Sequence, residues 1–232
     1  MCTRFLLEQD RLRALAASLG LPASASALLA PLDRFNIAPG KPIAALRSFT
    51  GAFHPRWGFA AREDQAPLTN ARAETLALKP TFRDAFRERR CLVPASGFYE
   101  WEKRGRARLP WLFRRHDEAA FCFAALWEKS PAGEPGVVIV TTPPNALMAP
   151  LHHRMPALFA SAEACRVWLD PQATERELAA LLAEPADADA MTATPVSPRM
   201  NRVEFDSPEC IVPAVHGLAA RDAADGDAEL FG

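Results

Sequence analysis

The chain lacks the short motifs that announce the commoner enzyme classes. There is no GxGxxG or GxxxxGK to cradle a phosphate and no GxSxG to strain a serine nucleophile. His152 and His153 stand together without the HExxH spacing of a zinc helix. The five cysteines, at 2, 91, 122, 165 and 210, are an odd number and widely spaced, which fits reduced thiols better than a disulfide framework or a zinc site. Neither a metal nor a cofactor is therefore expected. Every apolar run is broken by an arginine or an acid well before the roughly 18 residues a membrane span needs, so no membrane partner is expected. No internal repeat and no long linker divides the chain. In MCTRFLLEQDR an acid and two basic residues come too early for a secretory apolar region, which makes an intracellular location the default expectation.

Neither sign of charge is in excess. Lys and Arg number 27 against 28 Asp and Glu, for a net charge of -1, which argues against non-specific attraction to DNA by the whole surface. The distribution is less even. Arg83, Arg87, Arg89 and Arg90 crowd one stretch and Lys103, Arg104, Arg106 and Arg108 another, while acids collect in EPADADA and in the tail RDAADGDAEL. Such basic stretches are either solvated faces or a local surface for phosphates.

What remains is a chain of 232 residues, 49% hydrophobic and 24% charged, long enough for one substantial core. A strand over 3–6 leads into a helix that ends at Gly20. Prolines 39 and 42 mark a turn before a further strand, RWGFAA reads as another, and helical segments flank Pro80. From Cys91 onward, SGFYEWE, LPWLFRR, AAFCFAALWEK and GVVIVTT read as strands. ASAEACRVWLD and ATERELAALLAEP read as amphipathic helices. The pattern predicts a single α+β domain around a strongly bent mixed or antiparallel sheet with flanking helices, closing as far as a partial barrel. That domain is expected over residues 1–220, with an acidic, disordered tail over 221–232.

Four polar groups ask for a function. Removal of Met1 would leave Cys2 with an α-amine of pKa roughly 8 beside a thiol. An amine condenses with an aldehyde, and a thiol on the adjacent carbon closes the imine to a thiazolidine; the plainer reading is a cysteine at a frayed terminus. Glu100 shares a strand face with Phe98, and burial there would suit it to proton transfer, whereas on an edge strand it would be a surface acid. Asn70 either caps a helix or holds a sugar, with Arg72 on a phosphate. His152 is the cheapest acid or base near neutrality, and Arg154 beside it either meets an anion or forms an internal ion pair.

Several long stretches then resemble, in order, the SOS-response-associated peptidase family of abasic-site processing proteins. They are MCTRF, RFNIAPG, RWGF, TNARAET, KPTFRDAFRERRCLVPASGFYEW, AAFCFAALWE, TTPPNALMAPLHHRMP and PVSPRMNRVEFDSPECI. The resemblance implies capture of abasic sites in single-stranded DNA, including sites at single-strand/double-strand junctions, through a thiazolidine crosslink that shields the lesion during repair. It carries the nucleophile onto Cys2, the sugar-orienting residue onto Asn70, and the catalytic acid and imidazole onto Glu100 and His152. Arg4, Arg72 and Arg154 would meet phosphates, with Asn36, Pro39 and Trp57 shaping the cleft. It also implies a monomer in the cytoplasm, nucleoid-associated in a bacterium, with the replication machinery as a partner. The alternatives are a cysteine-type peptidase, its own Met1 among the substrates, and a single-stranded DNA sensor that binds without reacting. Three departures stand out: Thr3 in place of the usual glycine, Gly40 in place of threonine, and Ala60-Ala61-Arg62 where a proline and a tryptophan are customary.

Overall fold

A computed structural model describes residues 3–25, 33–59 and 66–214. Cys2, the segment Ala60-Ala61-Arg62 and the acidic tail lie outside the described residues. Strand β1 (Phe5–Leu7) leads into helix α1 (Gln9–Leu19), which buries Leu12, Leu15, Ala16 and Leu19 at the three-to-four-residue spacing of one helical face. Gly20 ends the helix in the left-handed region at φ 68°, with its N–H returned to Ala17 at 3.0 Å.

Next come β2 (Arg34–Ile37), β3 (Ala45–Ser48), β4 (Gly51–Phe53), β5 (Arg56–Trp57) and β6 (Asn70–Arg72). A 3-10 turn (Ala73–Thr75) and α2 (Pro80–Glu88) separate these from the long strands β7 (Arg90–Ala95), β8 (Gly97–Arg104), β9 (Ala107–Arg115), β10 (Phe121–Lys129) and β11 (Pro135–Thr142). Short strands β12 (Met155–Pro156) and β13 (Leu158–Phe159), helices α3 (Ala162–Leu169) and α4 (Glu175–Ala183), and β14 (Met191–Pro195) follow.

Two sheets result. One is antiparallel throughout, in the order β14-β9-β8-β1-β2. The other runs β12-β11-β10-β7-β3-β4, with β13 on β10 and with β5 and β6 parallel to β11. The α+β class read from the sequence is the one observed. The partial barrel is not, because neither ladder closes on itself among the described residues and the chain instead passes from one sheet to the other.

That passage is the corner between β7 and β8, where Ser96 donates its N–H to Leu6 at 2.8 Å. A Cβ on Gly97 would lie 2.9 Å from both Arg114 Cγ and the Phe113 carbonyl and 3.0 Å from Leu6 Cδ2, so glycine is what lets β1 and β9 approach. Gly97→Ala is expected to cost about 1–3 kcal/mol as overpacking, read as a lower urea midpoint at unchanged slope. Around the corner, Phe98 stacks on Phe113 at 5.3 Å and meets Phe123 edge-on at 6.1 Å. The core therefore runs continuously beneath both sheets.

The first basic stretch is partly engaged by the fold. Arg90 is buried and donates to the carbonyls of Phe86, Arg87 and Trp168, each at 2.7 Å, and of Asp170 at 2.5 Å. Those carbonyls belong to the C-terminal ends of α2 and α3, which lack intrahelical donors, so one cation caps two helices. Arg87 pairs with Glu175 at 2.9 Å and Arg89 with Glu128 at 2.7 Å. Arg90 is therefore a structural clamp, whereas Arg83 and Arg87 stay about half exposed.

Candidate active-site cleft

The β8–β9 hairpin carries the second basic stretch, and its inner end forms one wall of an open cleft of about 710 Å³. Glu100, Trp101, Glu102, Lys103 and Arg108 line that wall, the loop 149–153 with His152 and His153 lines the other, and Thr3 sits at the edge. A smaller hollow of about 200 Å³ shares Thr3, Trp101 and Arg108 and adds Arg4 and Asn201. The residue following Cys2 thus borders both spaces.

Glu100 is 6% exposed although it lines the cleft. Its strand is buried on both faces over Gly97–Glu100, with Tyr99 fully covered and its hydroxyl donated to the Phe35 carbonyl at 2.7 Å. Across the cleft, the His152 ring stacks on His153 with centroids 4.4 Å apart. The Arg154 backbone N–H donates to His152 Nδ1 at 3.0 Å. The Arg154 carbonyl stands 3.1 Å from the same nitrogen, so the Arg154 backbone meets Nδ1 in either tautomer of the neutral ring. Burial holds the imidazole below its usual pKa; the negative charge of Glu100 opposes this and His153 adds to it. His152 is accordingly a neutral imidazole at pH 7, next to a carboxylate.

Arg4 is half-buried, and burial lowers its pKa. It donates to Asn36 Oδ1 at 3.0 Å and to the Met200 carbonyl at 3.2 Å, with its guanidinium 5.9 Å from the Trp101 ring centroid. Asn36 is buried, and its amide nitrogen serves the carbonyls of Met200, Arg202 and Phe205 at 2.9 to 3.0 Å. It shapes the cleft only from behind, by fastening the segment that carries Asn201. Trp57 is fully buried too, edge-on to Phe5 at 5.2 Å, with its indole N–H on the Thr69 carbonyl at 3.0 Å.

Pro39 begins the turn after β2. Gly40 completes it at φ 83°, a left-handed conformation that suits glycine at the position where the resemblance leads one to expect threonine. Asn70 opens β6 opposite Ile139 of β11, and Arg72 at the end of that strand is exposed. Arg154 is not exposed: it is ion-paired with Glu74 and donates to the Thr141 carbonyl. The internal ion pair is the alternative that forms.

Two residues of the cleft went unassigned in the sequence reading. Trp101 lies between the two hollows with its N–H on Asn201 Oδ1 at 2.6 Å, and Asn201 ties back to the Arg108 carbonyl at 3.2 Å. The local signal for Asn201 was only its place in PVSPRMN, which has no periodicity to expose it. Among the described residues, no group of three or more His, Cys, Asp or Glu is arranged to hold a metal, and no helix is long and apolar enough to cross a membrane.

A carboxylate and a neutral imidazole sharing one open cleft, edged by Lys103 and Arg108, equip a protein to move protons beside an anionic substrate. The model of the SOS response associated peptidase (SRAP) family matches residues 1–203, and the chain belongs to that family. It is 38% identical over 166 residues to the abasic site processing protein YoqW of Bacillus subtilis, covering 67% of this chain and 74% of that one. With the abasic site processing protein YedK of Escherichia coli it shares 30% identity over 192 residues, 79% of this chain and 86% of the relative. A crystal structure of a protein from Bacteroides thetaiotaomicron has the same fold, with a TM-score of 0.78 at 24% identity over 92% of this chain and all of the other.

Proposed function

We propose that this protein captures abasic sites in single-stranded DNA as a covalent thiazolidine at Cys2, after removal of Met1. The observation that carries the reading is the common cleft: Thr3, next in sequence to Cys2, borders the space that also holds Glu100 and His152. The names of the relatives, all abasic site processing proteins, supply the substrate class.

In this scheme the strand is held chiefly by its backbone, with Arg4, Arg72, Lys103 and Arg108 as the cationic edge. The absence of a base makes entry of the sugar cheap, since little stacking is broken. His152 takes the proton of the C1′ hydroxyl and returns it to the ring oxygen as the bond from C1′ to that oxygen breaks, so the cyclic deoxyribose opens to its aldehyde and the imidazole ends neutral as it began. The Cys2 amine adds to C1′, and Glu100 relays the proton from nitrogen to the hydroxyl that leaves as water, giving the imine. The thiol then adds to the imine carbon while its proton passes to nitrogen. The sulfur is already attached to the same residue, so closure is intramolecular. Asn70 orients the sugar.

Incubation with abasic and intact oligonucleotides followed by a denaturing gel tests the proposal. A band shifted only with the abasic strand is expected. Retention that disappears on denaturation would leave a non-covalent sensor in its place, and cleavage of added protein without a shifted band would leave a peptidase.

A further inference from the structure

We infer that Glu74 is a positioning residue for His152, acting through Arg154, so that this guanidinium works as a brace within the fold. The inference rests on the proposed role of His152 in opening the sugar. The side chain of Arg154 is 8% exposed, and both terminal nitrogens fork onto the Glu74 carboxylate, Nη2 to Oε2 at 2.9 Å. The same Nη2 donates to the Thr141 carbonyl and stands 3.3 Å from its hydroxyl. A planar guanidinium gripped on two sides has one orientation available. At its other end, the backbone of this residue holds His152 Nδ1, with its N–H at 3.0 Å and its carbonyl at 3.1 Å.

The anchor also has a meaningful location. Glu74 sits in the 3-10 turn directly after β6, the strand of Asn70, and the Thr141 hydroxyl donates to the Ala71 carbonyl of that strand at 3.2 Å. The brace therefore spans from the Asn70 strand to the His152 loop, across 80 positions of sequence. Without the carboxylate, a buried guanidinium loses its counter-charge and moves to recover solvation, and the backbone that orients the imidazole moves with it. The competing view is that an ion pair whose acid is 49% exposed contributes little.

Single-turnover crosslinking at saturating abasic oligonucleotide separates the two views, with four proteins: the parent, Glu74→Gln, His152→Ala and the double variant. Glu74→Gln is expected to slow linkage about tenfold to a hundredfold, the effect of displacing a reacting group by a fraction of an ångström to an ångström. Its affinity for an intact oligonucleotide should stay near the parent's. The double variant should be no slower than His152→Ala alone, because the brace has nothing left to position. Glu74→Asp keeps the charge and should recover part of the rate. A long-range ¹⁵N spectrum should find the tautomer balance of His152 changed between the parent and Glu74→Gln, because the backbone that meets Nδ1 has moved. Unchanged kinetics in Glu74→Gln, or multiplicative losses in the double variant, would overturn the inference while leaving the His152 assignment intact. A His152→Ala protein as fast as the parent would instead remove that assignment, and the brace would then have no role in linkage.

Discussion

A Cys2→Ala protein is expected to leave no denaturation-resistant adduct with abasic single-stranded DNA, the largest effect any single substitution in this chain should have. Alanine at position 2 is small enough to permit the proposed Met1 removal, so the variant should keep an α-amine that can condense with the aldehyde. It cannot go further. The imine has no sulfur to add to its carbon and reverts with water, or it loses the 3′ phosphate by elimination and leaves a cut strand. Borohydride separates chemistry from binding here. Reduction during incubation should trap the variant's imine as a stable band, whereas the parent needs no reductant. A persistent band from Cys2→Ala without borohydride would place the stable linkage on another residue and end the thiazolidine scheme. The cysteines among the described residues, 91, 122, 165 and 210, are buried, and burial raises the thiol pKa of Cys91, so none is placed to take over the linkage.

The parts of this molecule that were legible in the sequence are those decided locally. The end of α1 at Gly20 depends on one residue's access to the left-handed region, and the amphipathic helices α3 and α4 on spacing alone. Glu100 was a weaker case. An alternating pattern predicts one buried face, yet β8 is covered on both sides at Glu100, so periodicity identified the residue without the reason for its burial. Arg90 and Arg154 were opaque for a different reason. A cation in a basic run, or beside a histidine, reads as a surface for phosphate until its partners are known. Beyond the nearby Phe86 and Arg87 carbonyls, those partners are helix-end carbonyls of Trp168 and Asp170 in one case and Glu74 in the other. Such pairings depend on which elements the topology brings together, and no window of sequence contains both halves. The motif order supplies what periodicity lacks, since it gathers Glu100 and His152 into one expectation.

The same cleft sets the second large effect. Glu100→Gln is expected to slow linkage by about a hundredfold to ten-thousandfold, the contribution of a positioned proton-transfer group, with DNA affinity close to that of the parent. The amide matches the carboxylate in shape and still accepts hydrogen bonds, so the site keeps its packing; what it loses, in the proposed scheme, is the ability to take a proton from the Cys2 nitrogen as the imine forms. In the proposed scheme affinity is spared because the strand is held by cations on its phosphates, and removing one negative charge from the cleft does not weaken that hold. The substitution also predicts a change at a second atom. The charge of Glu100 partly offsets the burial that depresses His152, so its removal should move the His152 titration to still lower pH, visible in the ring's NMR shifts. Slow linkage accompanied by that shift is the signature of a carboxylate that both relays protons and faces the imidazole. Linkage at the parent's rate would take Glu100 out of the chemistry, whatever the histidine does.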